Sequence, residues 1–211
     1  MANTYKMVDM NTWPRAAHAN TFRGWAQPSL YMSFEVDVTD YLAKIKKKKI
    51  SFTLSMTYEM CRCANSIENF RYRFLNGNVV LFDKVDTLFT YLNKDTELFR
   101  LIKVPMYDSL EEYVEKAAAA AASQKESFLG SPGNDIIRCT AIPWVTFTQM
   151  SSAYSGKPDY STPVIAWGKY HDVNGRMMMP VSIQANHAFV DGIHIGKFAE
   201  ALQIQLGILK P

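Results

Sequence analysis

The sequence predicts an α/β two-layer sandwich: a mixed, largely antiparallel sheet covered by helices on one face. Three observations predict it. Short segments with period-two alternation of apolar side chains recur along the chain. Longer segments with a 3.6-residue apolar period separate them in mixed order. Turn signals of the Asn-Gly type join neighbouring strands. The whole chain, 1–211, reads as a single domain, with no internal repeat, low-complexity linker or seam.

The elements follow in order. Tyr31 to Val38 alternates, with Met32, Phe34, Val36 and Val38 on one face, as a half-buried strand does. Thr39 is placed to cap a helix from Asp40 to about Lys48. The run Lys44 to Lys49 ends that helix and reads either as a solvated end, since cations suit a helix C-terminus, or as a landing site for an anionic ligand. Ser51 to Asn65 has helical spacing at Phe52, Met56, Met60 and Cys63. Arg71 to Leu75 and Val79 to Phe82 flank Asn76-Gly77-Asn78, a hairpin signal. Leu88 to Leu92 is another short strand. Ser109 to Glu126 is a helix, with Ser109 as cap, acids in the first turn and an alanine run for close packing. Ile136 to Ala141 and Trp144 to Thr148 read as strands broken at Pro143. Val164 to Tyr170 and Met177 to Gln184 form a second hairpin around Asp172 to Gly175, and Ile193 to Leu206 is an amphipathic helix. The total is about eight strands and about five helices.

Composition narrows the function. A net charge of only +3 argues against a dedicated nucleic-acid binder. No run reaches the roughly 18 apolar residues of a membrane span. The N-terminal segment lacks the plan of a secretory signal. Three cysteines, Cys61, Cys63 and Cys139, have no metal-ligand spacing and read as reduced thiols of a cytoplasmic protein. No metal site is expected.

The segment Gln184 to Ile193, QANHAFVDGI, carries the chemistry. It joins an apolar strand to the last helix and places His187 four residues before Asp191. A neutral imidazole takes a proton from a hydroxyl and returns it, provided it is held in one tautomer. Asp191, before Gly192, is placed to cap the helix and to take a cationic partner. Two readings fit the spacing: a general base, or a strand–turn–helix junction in which Asp191 only caps and His187 fills a polar gap. His194, on the following helix, reads as structural, and His171 sits in a polar turn.

This segment resembles the H-H-x-x-x-D-G signature of the type A chloramphenicol acetyltransferases and, more distantly, the catalytic domains of dihydrolipoyl acyltransferases. The likeness runs nearly end to end. Trp13-Pro-Arg15-Ala-Ala-His18 is similar to the W-x-R-x-x-H-F opening, and Val36-Asp37-Val38-Thr39 to L-D-I-T. Phe70-Arg71, Val80 to Asp83 and Phe89-Thr90 keep the family's order. Pro143 to Phe147 resembles P-W-V-S-F. Gly168-Lys169-Tyr170 and Pro180 to Gln184 precede the histidine motif.

The resemblance implies a CoA-dependent acyltransferase-like fold and an acetyl-CoA-dependent O-acetyltransferase that inactivates chloramphenicol, an antibiotic-resistance activity. By this resemblance His187 is the general base, acting in a ternary complex with no acyl-enzyme. Arg15 pairs with Asp191 and buttresses the loop. Thr140 stands where the family has a serine that hydrogen-bonds the oxyanion. Lys169 and Tyr170 line the nucleotide end of the coenzyme. Phe22, Leu30 and Met150 line the acceptor pocket. The implied assembly is a homotrimer with active sites between subunits.

Departures bear on the acceptor. Asn186 replaces the first histidine of the doublet, Ala166 a threonine that helps hold a water, and Arg138 an asparagine two residues before Thr140. Two pocket positions, Leu30 and Met150, are no longer aromatic, Phe22 lacks a tyrosine hydroxyl, and Ala19 follows His18 where a phenylalanine is usual. The alternatives implied are an O-acetyltransferase for a different small alcohol and a non-catalytic trimeric homologue.

Overall fold

The computed structural model describes residues 3–207 apart from 129, 154 and 158. Ten strands and five α-helices occur among the described residues. In chain order they are β1 (Tyr5–Met7), α1 (Ala16–Arg23), β2 (Ser29–Asp37), α2 (Thr39–Lys48), α3 (Phe52–Asn65), β3 (Tyr72–Leu75), β4 (Asn78–Phe82) and β5 (Asp86–Leu92). Then come β6 (Phe99–Val104), α4 (Leu110–Ser123), β7 (Ile136–Ile142), β8 (Val164–Gly168), β9 (His171–Val173), β10 (Arg176–Asn186) and α5 (Gly192–Gln205).

The main sheet runs β2-β10-β8-β7-β5-β6, with β9 also on β10; β1-β4-β3 form a small antiparallel sheet. Only β5–β7 and β7–β8 pair in parallel, so the sheet is mixed and largely antiparallel, as predicted. The two-residue alternation sorts its faces. One face carries Val36, Phe89, Ile102, Ile137, Cys139, Ile165, Trp167, Val181 and Ile183, all buried, beneath α3, α4 and α5. The opposite face carries Leu88, Arg138, Thr140, Ala166 and Ser182, in register across β5, β7, β8 and β10. This open face holds the polar groups that matter below.

Local chemistry accounts for the elements. The Asn76-Gly77 turn has φ of 49° and 82°, the paired positive values of a type I′ hairpin, which glycine adopts without a Cβ penalty. Ser51 and Ser109 cap α3 and α4 by accepting from the Leu54 and Glu112 amides. The alanine run of α4 turns Ala117 and Ala121, four apart, fully into the core, the close packing anticipated. Phe70, Phe89, Phe189 and Phe198 are essentially buried, each worth about 1.5–3 kcal/mol of apolar transfer.

The structure corrects several expectations. Trp144 to Thr148 is not a strand. It is an exposed segment crossing the open face, tied down by the Lys169 amide donating to the Val145 carbonyl (2.8 Å). It can lie this close because Gly168 has no side chain: a Cβ there would stand 2.9 Å from both Pro180 and the Val145 carbonyl. Thr39 does not cap α2 through its hydroxyl. That hydroxyl donates to Asp37 (2.6 Å) and accepts from the Met177 amide (2.8 Å), stitching α2 to β10. The hairpin at Asn174-Gly175 joins β9, not β8, to β10. Helix α1 and strands β1, β6 and β9 lay outside the predicted elements. All but β6 are short, and α1 buries only Ala19, so neither segment shows a clear apolar stripe.

Candidate active site

β10 ends at Asn186, and residues 187–191 turn tightly into α5. The turn is fastened from every side. The His187 amide donates to the Pro28 carbonyl at 2.7 Å. Asn186 Oδ1 accepts from the Ala188 amide (2.9 Å), while its Nδ2 donates to the Tyr160 carbonyl (3.0 Å). The residue standing where the family has a histidine thus acts as a turn cap. Asn69 Nδ2 donates to the Phe189 carbonyl at 2.7 Å, and the Phe189 ring is buried against Trp13, Tyr72 and Phe74.

Arg15 is the central clamp. Its Nη1 and Nη2 reach the two Asp191 carboxylate oxygens at 2.5 and 2.6 Å, a bidentate pair. Its Nε donates to the Ala188 carbonyl (2.7 Å) and Nη2 to the His187 carbonyl (2.9 Å). The Arg15 guanidinium holds the Asp191 carboxyl below the usual carboxylate range. Asp191 is half-buried rather than buried, with 31% of its side chain exposed. The expected Arg15–Asp191 contact is therefore present.

Asp191 also stands closer to the imidazole than sequence reasoning placed it. His187 Nδ1 lies 3.0 Å from Asp191 Oδ1 and 3.0 Å from the Val190 carbonyl oxygen. Two acceptors at one nitrogen favour the tautomer with the proton on Nδ1 and a free lone pair on Nε2. The ring is stacked on Phe22, with centroids 4.2 Å apart and planes at 23°. Phe22, expected in the acceptor pocket, is thus first a wall that fixes the imidazole plane. Trp25 packs edge-on against Phe22 and is largely exposed.

His194 escaped sequence reasoning as more than a structural residue. Its Nδ1 accepts from the Asp191 backbone amide at 2.9 Å, the reciprocal half of a capping box. The signal was its place three residues after the N-cap. Burial lowers the His194 pKa below its ordinary 6.5, and Arg15 lowers that of Asp191 below 3.8. Both shifts are downward. The unfolded chain therefore binds more protons between the folded and ordinary values, and stability present above each ordinary value is lost on acidification. Urea unfolding is expected to show stability falling first below about pH 6.5 through His194 and again below about pH 4 through Asp191 together with Asp37 and Asp135, whose carboxyls are also held low. His194→Gln, which keeps an acceptor without a titration, is expected to flatten the upper step alone; an unchanged upper step excludes His194.

The other expected site residues lie elsewhere. Leu30 is half-buried against the core opposite Ala185, at the His187 end of the sheet. His18 is exposed on α1. Thr140 is half-buried on the open face, in register with Ala166 and Ser182. Met150 lies over that row, its carbonyl accepting from Ser182 Oγ at 2.6 Å. His187 is five residues beyond Ser182 along β10, roughly 16 Å at a rise of about 3.3 Å per residue. One chain therefore does not bring Thr140 to His187. Lys169 and Tyr170 are exposed further along, with Tyr170 edge-on to Phe52 (5.7 Å), just past the end of the lysine run. Two cavities of about 300 and 310 Å³ lie elsewhere on the molecule. One is lined by Trp25, Pro28, Tyr160 and Asn186, the other by Leu88, Leu101, Lys103 and Phe128. Among the described residues no group of His, Cys, Asp and Glu could hold a metal, and no helix is long and apolar enough to cross a membrane.

Comparison with known proteins shows the family of the chain. Residues 3–203 match the chloramphenicol acetyltransferase family. The chain is 27% identical over 202 residues to a chloramphenicol acetyltransferase of Klebsiella sp, covering 94% of this chain and 92% of the relative. It is 27% identical over 204 residues to chloramphenicol acetyltransferase 2 of Escherichia coli, covering 95% and 96%. Among solved structures it superposes on a chloramphenicol acetyltransferase with a TM-score of 0.89 at 25% identity, over 96% of this chain and 100% of that one. The cubic core of the pyruvate dehydrogenase multienzyme complex aligns with a TM-score of 0.62 at 17% identity, over 90% and 86%, a likeness of fold alone.

The fold and these relatives define an acyltransferase. Within that class, the chain belongs to the chloramphenicol acetyltransferase family.

Proposed function

We propose that the protein is an acetyl-CoA-dependent O-acetyltransferase with chloramphenicol as acceptor, and that it confers resistance to that drug. The observation that carries the reading is the His187 imidazole, anchored at Nδ1 and stacked on Phe22 so that Nε2 is left to act. Nε2 takes the proton of the acceptor hydroxyl as its oxygen attacks the thioester carbonyl, and the thiol leaves with a proton. Both substrates meet in one complex, with no acyl-enzyme. Thr140 donates its hydroxyl to the developing oxyanion. Phe22, Leu30 and Met150 shape the acceptor pocket. Lys169 and Tyr170 receive the nucleotide end, beside a lysine run that suits its phosphates.

The separation of His187 from Thr140 within one chain supports an assembly in which a second copy completes each site. We propose a homotrimer of single-domain, cytoplasmic chains. The test is thiol release from acetyl-CoA on adding chloramphenicol, together with drug survival of cells expressing the protein. No release with a folded, trimeric preparation rejects chloramphenicol as the acceptor. Thr140→Val is expected to lower kcat about 10²-fold with KM little changed, while Thr140→Ser keeps most activity. Equal rates for Val and wild type reject the oxyanion role.

A second reading keeps the chemistry and changes the alcohol. It is favoured by Arg138, a charged side chain on the open face beside Thr140.

A further inference from the structure

Arg138 and Thr140 are two residues apart on β7, so both point to the open face, about 7 Å from each other along the strand. Between them Cys139 is buried on the helix side. Arg138 is half-buried, in register with Leu88 and Val164. Among the described residues its guanidinium makes one hydrogen bond, Nη1 to the Tyr160 hydroxyl at 3.1 Å, and no ion pair.

The other arginines are committed differently. Arg15, Arg23, Arg62 and Arg176 meet carboxylates. Arg71, Arg73 and Arg100 donate to backbone carbonyls. The neighbouring cation across the sheet, Lys103, is neutralised by Asp135 at 2.8 Å. Arg138 alone among the described arginines is tethered only by a neutral hydroxyl. Among the described residues that tether leaves most of its five N–H groups without a protein acceptor. A half-buried guanidinium of this kind is a fork for a planar oxyanion. It shares the open face with Thr140, two residues away on β7, and its tether Tyr160 accepts from Asn186 Nδ2 through its backbone carbonyl.

We propose that Arg138 forms an anion subsite on the acceptor side of the site, and that the alcohol this enzyme acylates best carries a carboxylate near the reacting hydroxyl. This rests on the acetyl-transfer reading above. The apolar surroundings take the body of the acceptor, Arg138 its charge, and Thr140 faces the carbonyl under attack. A neutral alcohol leaves the guanidinium unpaired and is the poorer acceptor.

Three acceptors with the same reacting hydroxyl test this: chloramphenicol, its analogue with a carboxylate replacing the nitro group, and its analogue with an oxamate replacing the dichloroacetyl amide. Binding is read by calorimetry in the presence of CoA, and kcat/KM by thiol release. At least one carboxylate analogue is expected to bind and react about 10- to 100-fold better than chloramphenicol, with the advantage shrinking as salt rises. Arg138→Gln is expected to abolish that advantage, so that the carboxylate analogues no longer outperform chloramphenicol; Arg138→Lys restores part of it. Equal binding of all three by the wild type, or equal losses on charged and neutral acceptors in a folded Arg138→Gln protein, overturns the subsite. Charge-selective binding with turnover of none of the three rejects chloramphenicol and its analogues as acceptors and leaves the subsite standing.

Discussion

His187→Gln is expected to lower kcat by about 10⁴-fold, the upper end of what a positioned general base supplies, while acetyl-CoA binding stays near wild type. Glutamine keeps a planar, hydrogen-bonding end against Phe22 and near Val190 O, so packing around the turn is largely retained. It has no lone pair basic enough to take a hydroxyl proton. The deficit therefore falls on the chemical step. Thiol release under saturating substrates reads kcat, and calorimetry with CoA reads binding. A kcat within tenfold of wild type would mean that a group other than His187 accepts the hydroxyl proton.

Arg15→Ala has the second largest effect, because it acts on stability and rate together. The substitution removes four hydrogen bonds and leaves the Asp191 carboxylate beside His187 without its counter-ion. Removing one partner of a fully buried pair costs about 3–5 kcal/mol, and an exposed pair contributes about 0–1. With 14% of Arg15 and 31% of Asp191 exposed, a loss of about 3 kcal/mol is expected. An active-site turn freed of its clamp lets the imidazole swing, and a misplacement of about 1 Å costs about 10²-fold in rate. Urea unfolding and kcat measured well below the melting temperature separate the two effects. Arg15→Lys is expected to recover part of the stability and little of the rate, since an ammonium cannot hold both carboxylate oxygens and two carbonyls at once. Full recovery by lysine would show that charge alone, and not the fork geometry, secures the turn.

Much of the architecture was legible because alternation and capping are local. The β2 and β10 strands, the capped helices α3 and α4 and the Asn76-Gly77 hairpin each announce themselves within a dozen residues. The missed elements lack that local signal. Trp144 to Thr148 failed for the opposite reason: its aromatic and β-branched composition looks like a strand, but it has no ladder partner and lies across the sheet instead. At the site, the motif led to His187 and Asp191 directly, while Arg15 came from the resemblance of Trp13 to His18 to the family's opening. The roles of Phe22 as the imidazole's stacking partner and of Val190 O as its anchor were not legible, because a ring contact and a backbone carbonyl leave no mark in residue spacing.

The sequence by itself determined a mixed sheet under one layer of helices and singled out His187 and Asp191 by their spacing, while Arg15 and the site roles came from the resemblance to a family. The sheet and the His187–Asp191 spacing follow from periodicity and side-chain type, which are properties of neighbouring residues. Only the tertiary structure decided which face of the sheet is open, that Arg138 shares it with Thr140, and that Thr140 and His187 lie far apart in one chain. Strand order and register between distant segments set those relations, and both are settled by packing of the core rather than by any short stretch of the chain.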